Sequence, residues 1–190
     1  MKDKIKGFAL VNFLIGFGVI IVVILIGLFL IKNTSLSRKI SKSIYQHEAI
    51  YRFIIAYNFM CKTNPTNVLT FKTCSTGSSE CKNGKIITPG STKISCSSKS
   101  ANASNAASYF VMHFNETGYV DYYSKKNVKS LDDNSSHCCS LKNSNPKRGK
   151  TNIYGDNKNN TITIITNVGN KFSKDFYLTN IIDWPGTGFK

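Results

Sequence analysis

The sequence predicts an α+β protein: a long N-terminal hydrophobic helix packed on an antiparallel β-sheet, in a disulfide-stapled globular domain. Three observations carry that expectation. An almost unbroken apolar run extends from Phe8 to Ile31. An apolar repeat at helical spacing continues to about residue 60. Beyond it, short β-prone segments alternate with polar stretches and six cysteines.

The apolar run is interrupted only by Asn12, Gly16, Gly18 and Gly27. At about 1.5 Å per residue it forms a helix of roughly 36 Å, long enough to cross a hydrocarbon core of about 30 Å. Its β-branched stretch, Val19 to Ile24, suits a strand in water, but in lipid only a helix satisfies every backbone group within one segment. Lys2, Lys4 and Lys6 precede the run and predict a cytoplasmic N-terminus; Lys32, Arg38, Lys39 and Lys42 follow it and weaken that bias. A cleaved secretory signal would have a shorter apolar core and a small-residue site after it, and Lys32 to Ser37 offers none.

Residues 32–60 read as the same helix continued, with Leu36, Ile40, Ile44, Tyr51, Ile54 or Ile55, and Phe59 along one stripe. Glu48 and Arg52 have the i, i+4 order of an exposed ion pair. Asn64-Pro65 ends the helix, because the residue before proline is pushed out of the α region.

Residues 61–190 have the character of a globular domain. Val68–Thr73, Lys85–Thr88, Thr161–Val168 and Asp175–Ile182 read as strands. Ser108–Phe114 and Tyr119–Ser124 read as a hairpin joined through Gly118. Ser97–Ser108 and Lys125–Asn160 read as loops. Six cysteines beyond the apolar run, Cys61, Cys74, Cys81, Cys96, Cys138 and Cys139, fit an oxidising compartment, and about fifteen connectivities are open to them. We expect Cys74 to pair with Cys81, and Cys138 and Cys139 to reach back to Cys61 and Cys96, because neighbouring cysteines lie closer than the usual bridged Cα separation.

The start of the apolar run carries a family resemblance. Lys6-Gly7 followed by Phe8-Ala-Leu-Val and a long apolar helix resembles the N-terminus of type IV pilins and pseudopilins. The resemblance covers about thirty residues closely and some thirty more as helix; residues 61–190 show no motif of the family. It implies residues 1–7 as a leader, cut after Gly7 by a prepilin peptidase that methylates Phe8. It further implies residues 8–31 as a transmembrane and filament-core half, residues 32–60 as an amphipathic periplasmic half, and 61–190 as the globular domain of a pilin-like roll. The implied partners are other pilin subunits, an inner-membrane assembly platform and, before assembly, membrane lipid. The implied location is a bacterial inner membrane, single-pass, and then a cell-surface filament.

One position departs from the family pattern. Asn12 stands where the family usually has a glutamate thought to meet a neighbouring subunit's charged amino terminus. An amine buried in hydrocarbon is costly without an opposite charge. Asn12 therefore points to a minor or tip-proximal subunit. A type II secretion pseudopilin, or a membrane-anchored binding or adhesin domain that never polymerises, remain the alternatives.

The chain has 190 residues, with Lys+Arg 25 against Asp+Glu 10 and a net charge of +15, which favours anionic partners. Lys142, Lys147, Arg148 and Lys150 crowd one polar stretch, with Lys125, Lys126 and Lys129 in another. Two readings stay open for them: solvated loops, or sequence-independent contact with DNA or another anionic surface. Three histidines, three glutamates and no recognisable nucleophile elbow give no expectation of an enzyme or a cofactor. His137-Cys138-Cys139 lacks the paired spacing of a zinc site, and Asp132-Asp133-Asn134 lacks an EF-hand pattern, so no metal is expected.

Overall fold

The computed structural model describes residues 2–73, 90–98, 101–123, 138–170 and 174–185. Its elements are α1 (Lys2–Thr63), β1 (Val68–Thr73), β2 (Gly90–Ser95), α2 (Ala103–Glu116), β3 (Cys139–Ser140), β4 (Thr151–Asp156), β5 (Thr161–Asn167) and β6 (Tyr177–Asp183). The class is α+β, as expected. The chain divides into two compact units, Met1–Arg38 and Lys39–Lys190.

The first unit is helical. Every large apolar side chain from Leu14 to Ile31 is exposed, Ile21 least at 43%. A helix apolar on all sides needs apolar surroundings on every side, as a lipid bilayer or the interior of an assembly supplies. Among the described residues this is the one helix long and apolar enough to cross a membrane.

In the second unit α1 ends where Asn64-Pro65 predicts. Asn64 donates its N–H to Met60 O, and its Oδ1 accepts from Thr66 N and Oγ1, forming an Asx turn. The buried face of the helix differs from the expected stripe. Ile44 and Phe59 are exposed, as is Ile55, whereas Ser43, Gln46, His47, Ile50, Ile54, Asn58 and Cys61 are buried. Polar residues shifted the phase because what they meet is polar: Gln46 Oε1 accepts from Val120 N, and Asn58 Nδ2 donates to Asp183 O. The expected ion pair is present, Arg52 Nε lying 3.9 Å from Glu48 Oε2.

Two sheets pack around α2. β1 and β2 pair antiparallel, and β3-β4-β5-β6 form a mixed sheet in which β3–β4 is parallel and the other pairings are antiparallel. β1 matches its strand reading, β5 ends one residue sooner than read, and β6 begins two residues later and ends one later. Lys85–Thr88 lies outside the described residues.

Three sequence expectations are corrected. Ser108–Phe114 is helical, part of α2, so the expected hairpin with Tyr119–Ser124 does not form. Its buried residues, Ala103, Ala106, Ala107, Phe110, Val111 and Phe114, keep a helical period that begins in the stretch read as loop. Asn102 caps it, accepting from Asn105 N at 2.9 Å. Likewise β4 lies in a stretch read as loop because its buried residues include Thr151 and Asn152. Asn152 Oδ1 accepts from Ser140 Oγ and its Nδ2 donates to Ser144 O, so the polar strand is satisfied without apolar character.

The third correction concerns the cysteines. Cys61 bonds Cys96, with Cα atoms 5.3 Å apart, and Cys138 bonds its neighbour Cys139. The register that opposes Val68 to Ser95 carries Cys96 beside Asn67, whose carbonyl accepts from Cys96 N, and so back to the end of α1. Cys138 and Cys139 instead lie against α2, where Asn115 accepts from Cys139 N and donates to Cys139 O. Cys74 and Cys81 lie outside the described residues.

The core is aromatic. Phe110 meets Phe71 and Trp184 edge to face, with centroids 5.2 and 5.6 Å apart, and Trp184 Nε1 donates to Ala101 O. Gly155 lets α2 approach β4: a Cβ there would fall inside the contact distance of the Ala103 carbonyl.

Two outcomes follow. Gly155→Ala should lower the thermal midpoint by an amount equivalent to about 1–3 kcal/mol, from forced separation of α2 and β4. The paired change Cys61→Ser, Cys96→Ser should cost about 3–4 kcal/mol in urea unfolding, since the bond closes a sequence separation of 35 residues.

Candidate functional site

The cations singled out in the sequence do not act alike. All four lie between β3 and β4, where Lys142 and Lys147 are exposed and Arg148 and Lys150 half-buried. Gly149 turns the chain there with φ +84°, and its N–H donates to Asn167 O. A Cβ at Gly149 would collide with Asp121 Oδ1, so the turn is built against the segment carrying Tyr123. Arg148 is committed within the fold, its Nη2 lying 3.3 Å from Asp175 Oδ1 and its guanidinium 6.0 Å from the centroid of Tyr123. The Asn167 side chain foremost, and Arg148 with it, holds the Asp175 carboxyl below the usual carboxylate range. Lys125, Lys126 and Lys129 lie outside the described residues, as do Asp132, Asp133, Asn134 and His137.

Around Tyr123 a second group gathers. Lys39 Nζ lies 5.8 Å from the Tyr123 ring centroid, and Lys42 Nζ 5.6 Å from that of Tyr122. These rings attract cations through their quadrupoles. Tyr123 is fixed at both ends, its hydroxyl donating to Val168 O at 2.6 Å and its N–H to Asp121 Oδ1 at 2.8 Å. Burial raises the Tyr119 phenol above its usual range, and the neighbouring Tyr45 and Tyr122 add to the rise. Tyr45 itself is 78% exposed. The result is a face of lysines set among tyrosines, able to hold anions against a half-apolar surface. Sequence reading missed it because α1 and the segment after α2 are far apart in the chain. A usable signal was there: no acidic residue occurs from Lys4 to His47.

Gly7, Phe8 and Asn12 sit within α1, and their side chains lie outside the described part of it.

A buried polar chain lies under the helix. His47 meets Thr166 Oγ1 through Nδ1 at 2.7 Å and Asn180 Oδ1 through Nε2, and Thr166 Oγ1 lies 2.8 Å from Thr151 Oγ1. A carbonyl oxygen only accepts, so Nε2 carries the ring proton and Nδ1 accepts from the Thr166 hydroxyl. Thr151 then donates to Thr166. This hydroxyl–imidazole–amide order resembles that of a nucleophile and its base, but His47 and Thr166 are each 1% exposed, leaving a substrate no approach to the hydroxyl. Burial holds His47 below its usual pKa, against smaller raising effects from Asn180 and Glu48.

Among the described residues no three His, Cys, Asp or Glu side chains group to hold a metal ion. Comparison with protein-family models, with curated proteins and with solved structures finds no match to this chain.

The lowered His47 pKa gives stability a pH dependence. The unfolded chain binds a proton near pH 6.5 where the folded one does not, so stability is full above that value and falls as pH drops toward the folded pKa. The thermal midpoint should therefore fall between pH 7.5 and 5.5, and His47→Gln should flatten that slope.

Proposed function

We propose that this chain is a subunit of a type IV pilus-like filament, present in few copies or near the tip. In this reading prepilin peptidase cuts after Gly7 and methylates Phe8, and the chain waits in the inner membrane before joining other subunits through an assembly platform. One observation carries the proposal: the helix α1 (Lys2–Thr63) contains Gly7 and Phe8, then large apolar side chains exposed from Leu14 to Ile31, then residues built into the core of an α+β domain. A helix of that kind satisfies its backbone within itself in lipid, and the same apolar sides are free to pack on copies of itself in a filament. The pilin-like roll is the proposed family setting of that α+β domain. Asn12 supports low abundance, because it can hydrogen-bond a neighbouring amine without neutralising it.

A second reading has an observation of its own. The lysine and tyrosine face suits a membrane-anchored binding domain that never polymerises. A type II secretion pseudopilus would use the same helix as a pilus.

Peptide mapping of the protein from membranes and from sheared filaments separates these. A mature N-terminus at methylated Phe8, in a minor filament band, is the expected outcome. An intact Met1 favours the non-polymerising anchor, and a dominant filament band refutes the minor role.

A further inference from the structure

We propose that the face formed by Lys39, Lys42, Tyr45, Tyr122 and Tyr123 binds the phosphate headgroups of anionic phospholipid, docking the globular unit on a membrane surface. The inference rests on reading the apolar run as a membrane span. Lys39 and Lys42 follow Ile31 within the ~15–20 residues over which cations beside a span are read. Both ammonium groups lie over tyrosine rings, and Tyr45 stands exposed next to them. Lysine and tyrosine are the pair that the headgroup layer selects: the charge reaches phosphate, while stem and ring take the half-apolar zone beneath it.

Among the described residues, the carboxylates beside this face are engaged. Asp121 is buried and accepts from Tyr123 N, Asp175 faces Arg148, and Glu48 faces Arg52. The segment carrying Tyr122 and Tyr123 is anchored to the helix through Val120 N and Gln46 Oε1, so rings and lysines form one surface.

Magnitude favours lipid over nucleic acid. A duplex binder making about 6–10 phosphate contacts needs as many cations, and the two described lysines of this face supply too few for that from free solution. A chain already held in a bilayer meets headgroups at very high effective concentration, so a small patch suffices. Each lysine then shifts the ratio of docked to undocked protein about fivefold, and the pair roughly 25-fold.

The test uses the full chain in nanodiscs of phosphatidylcholine alone, or of phosphatidylcholine with phosphatidylglycerol, followed by hydroxyl-radical footprinting of individual side chains. We expect Tyr45 and Tyr122 to be oxidised several-fold more slowly with phosphatidylglycerol, with Tyr154 unchanged. High salt or Lys39→Gln with Lys42→Gln should erase the difference. Equal Tyr45 and Tyr122 rates in the two discs, with Phe29 shielded in both, overturn the docking alone. Phe29 left unshielded in both discs defeats the membrane reading and this inference with it. Shielding produced equally by inorganic phosphate in phosphatidylcholine discs assigns the face to soluble phosphate. Shielding by added duplex DNA and not by phosphatidylglycerol assigns it to nucleic acid. Either assignment overturns membrane docking.

Discussion

The second half of α1 is tied to the four-stranded sheet by buried hydrogen bonds set beside the apolar packing of Ile50 and Ile54, and the register of the globular unit depends on that seam. His47 reaches β5 and β6, Asn58 reaches the end of β6, and Gln46 reaches the segment after α2. Apolar packing tolerates small slides, whereas buried donors and acceptors left unpaired each cost about 1–3 kcal/mol. The helix therefore has one register on the sheet. That register also sets where Lys39 and Lys42 stand relative to Tyr122 and Tyr123, so the basic and aromatic face inherits its geometry from the buried seam.

The seam explains what could be read from the chain and what could not. The apolar run, the helix end at Asn64-Pro65 and the strands β1, β5 and β6 were legible because each rests on local chemistry: hydropathy, a proline, β-branched alternation. The buried face of α1 was not, since Ser43, Gln46, His47 and Asn58 look like solvent-facing residues until their partners arrive. β4 was hidden for the same reason, its Thr151 and Asn152 being satisfied by Thr166 and Ser140. α2 is hidden because Phe110 and Val111 stand in a β-prone aromatic run, while the alanines that set its helical period lie in a small, polar stretch.

The candidate site divides along the same line. Gly7, Phe8 and Asn12 were found from adjacent residues, and their proposed roles need nothing more than their order in the chain. The lysine and tyrosine face needed tertiary structure, because its two halves are joined only by folding. Arg148 shows the converse. In sequence it belongs to a basic polar stretch, but Asp175 and Tyr123 draw it into the fold, leaving Lys142 and Lys147 as the more outward cations of that stretch.

The bond between Cys61 and Cys96 has a mechanical meaning as well as a thermodynamic one. It closes the chain from the end of α1 to the end of β2 into a covalent ring. A pull on the helix is then delivered to the entrance of α2 through two sulfur atoms and bypasses the polypeptide between them. The paired strands β1 and β2 become a side branch of the force path, so a pull on the helix need not be carried through their backbone ladder.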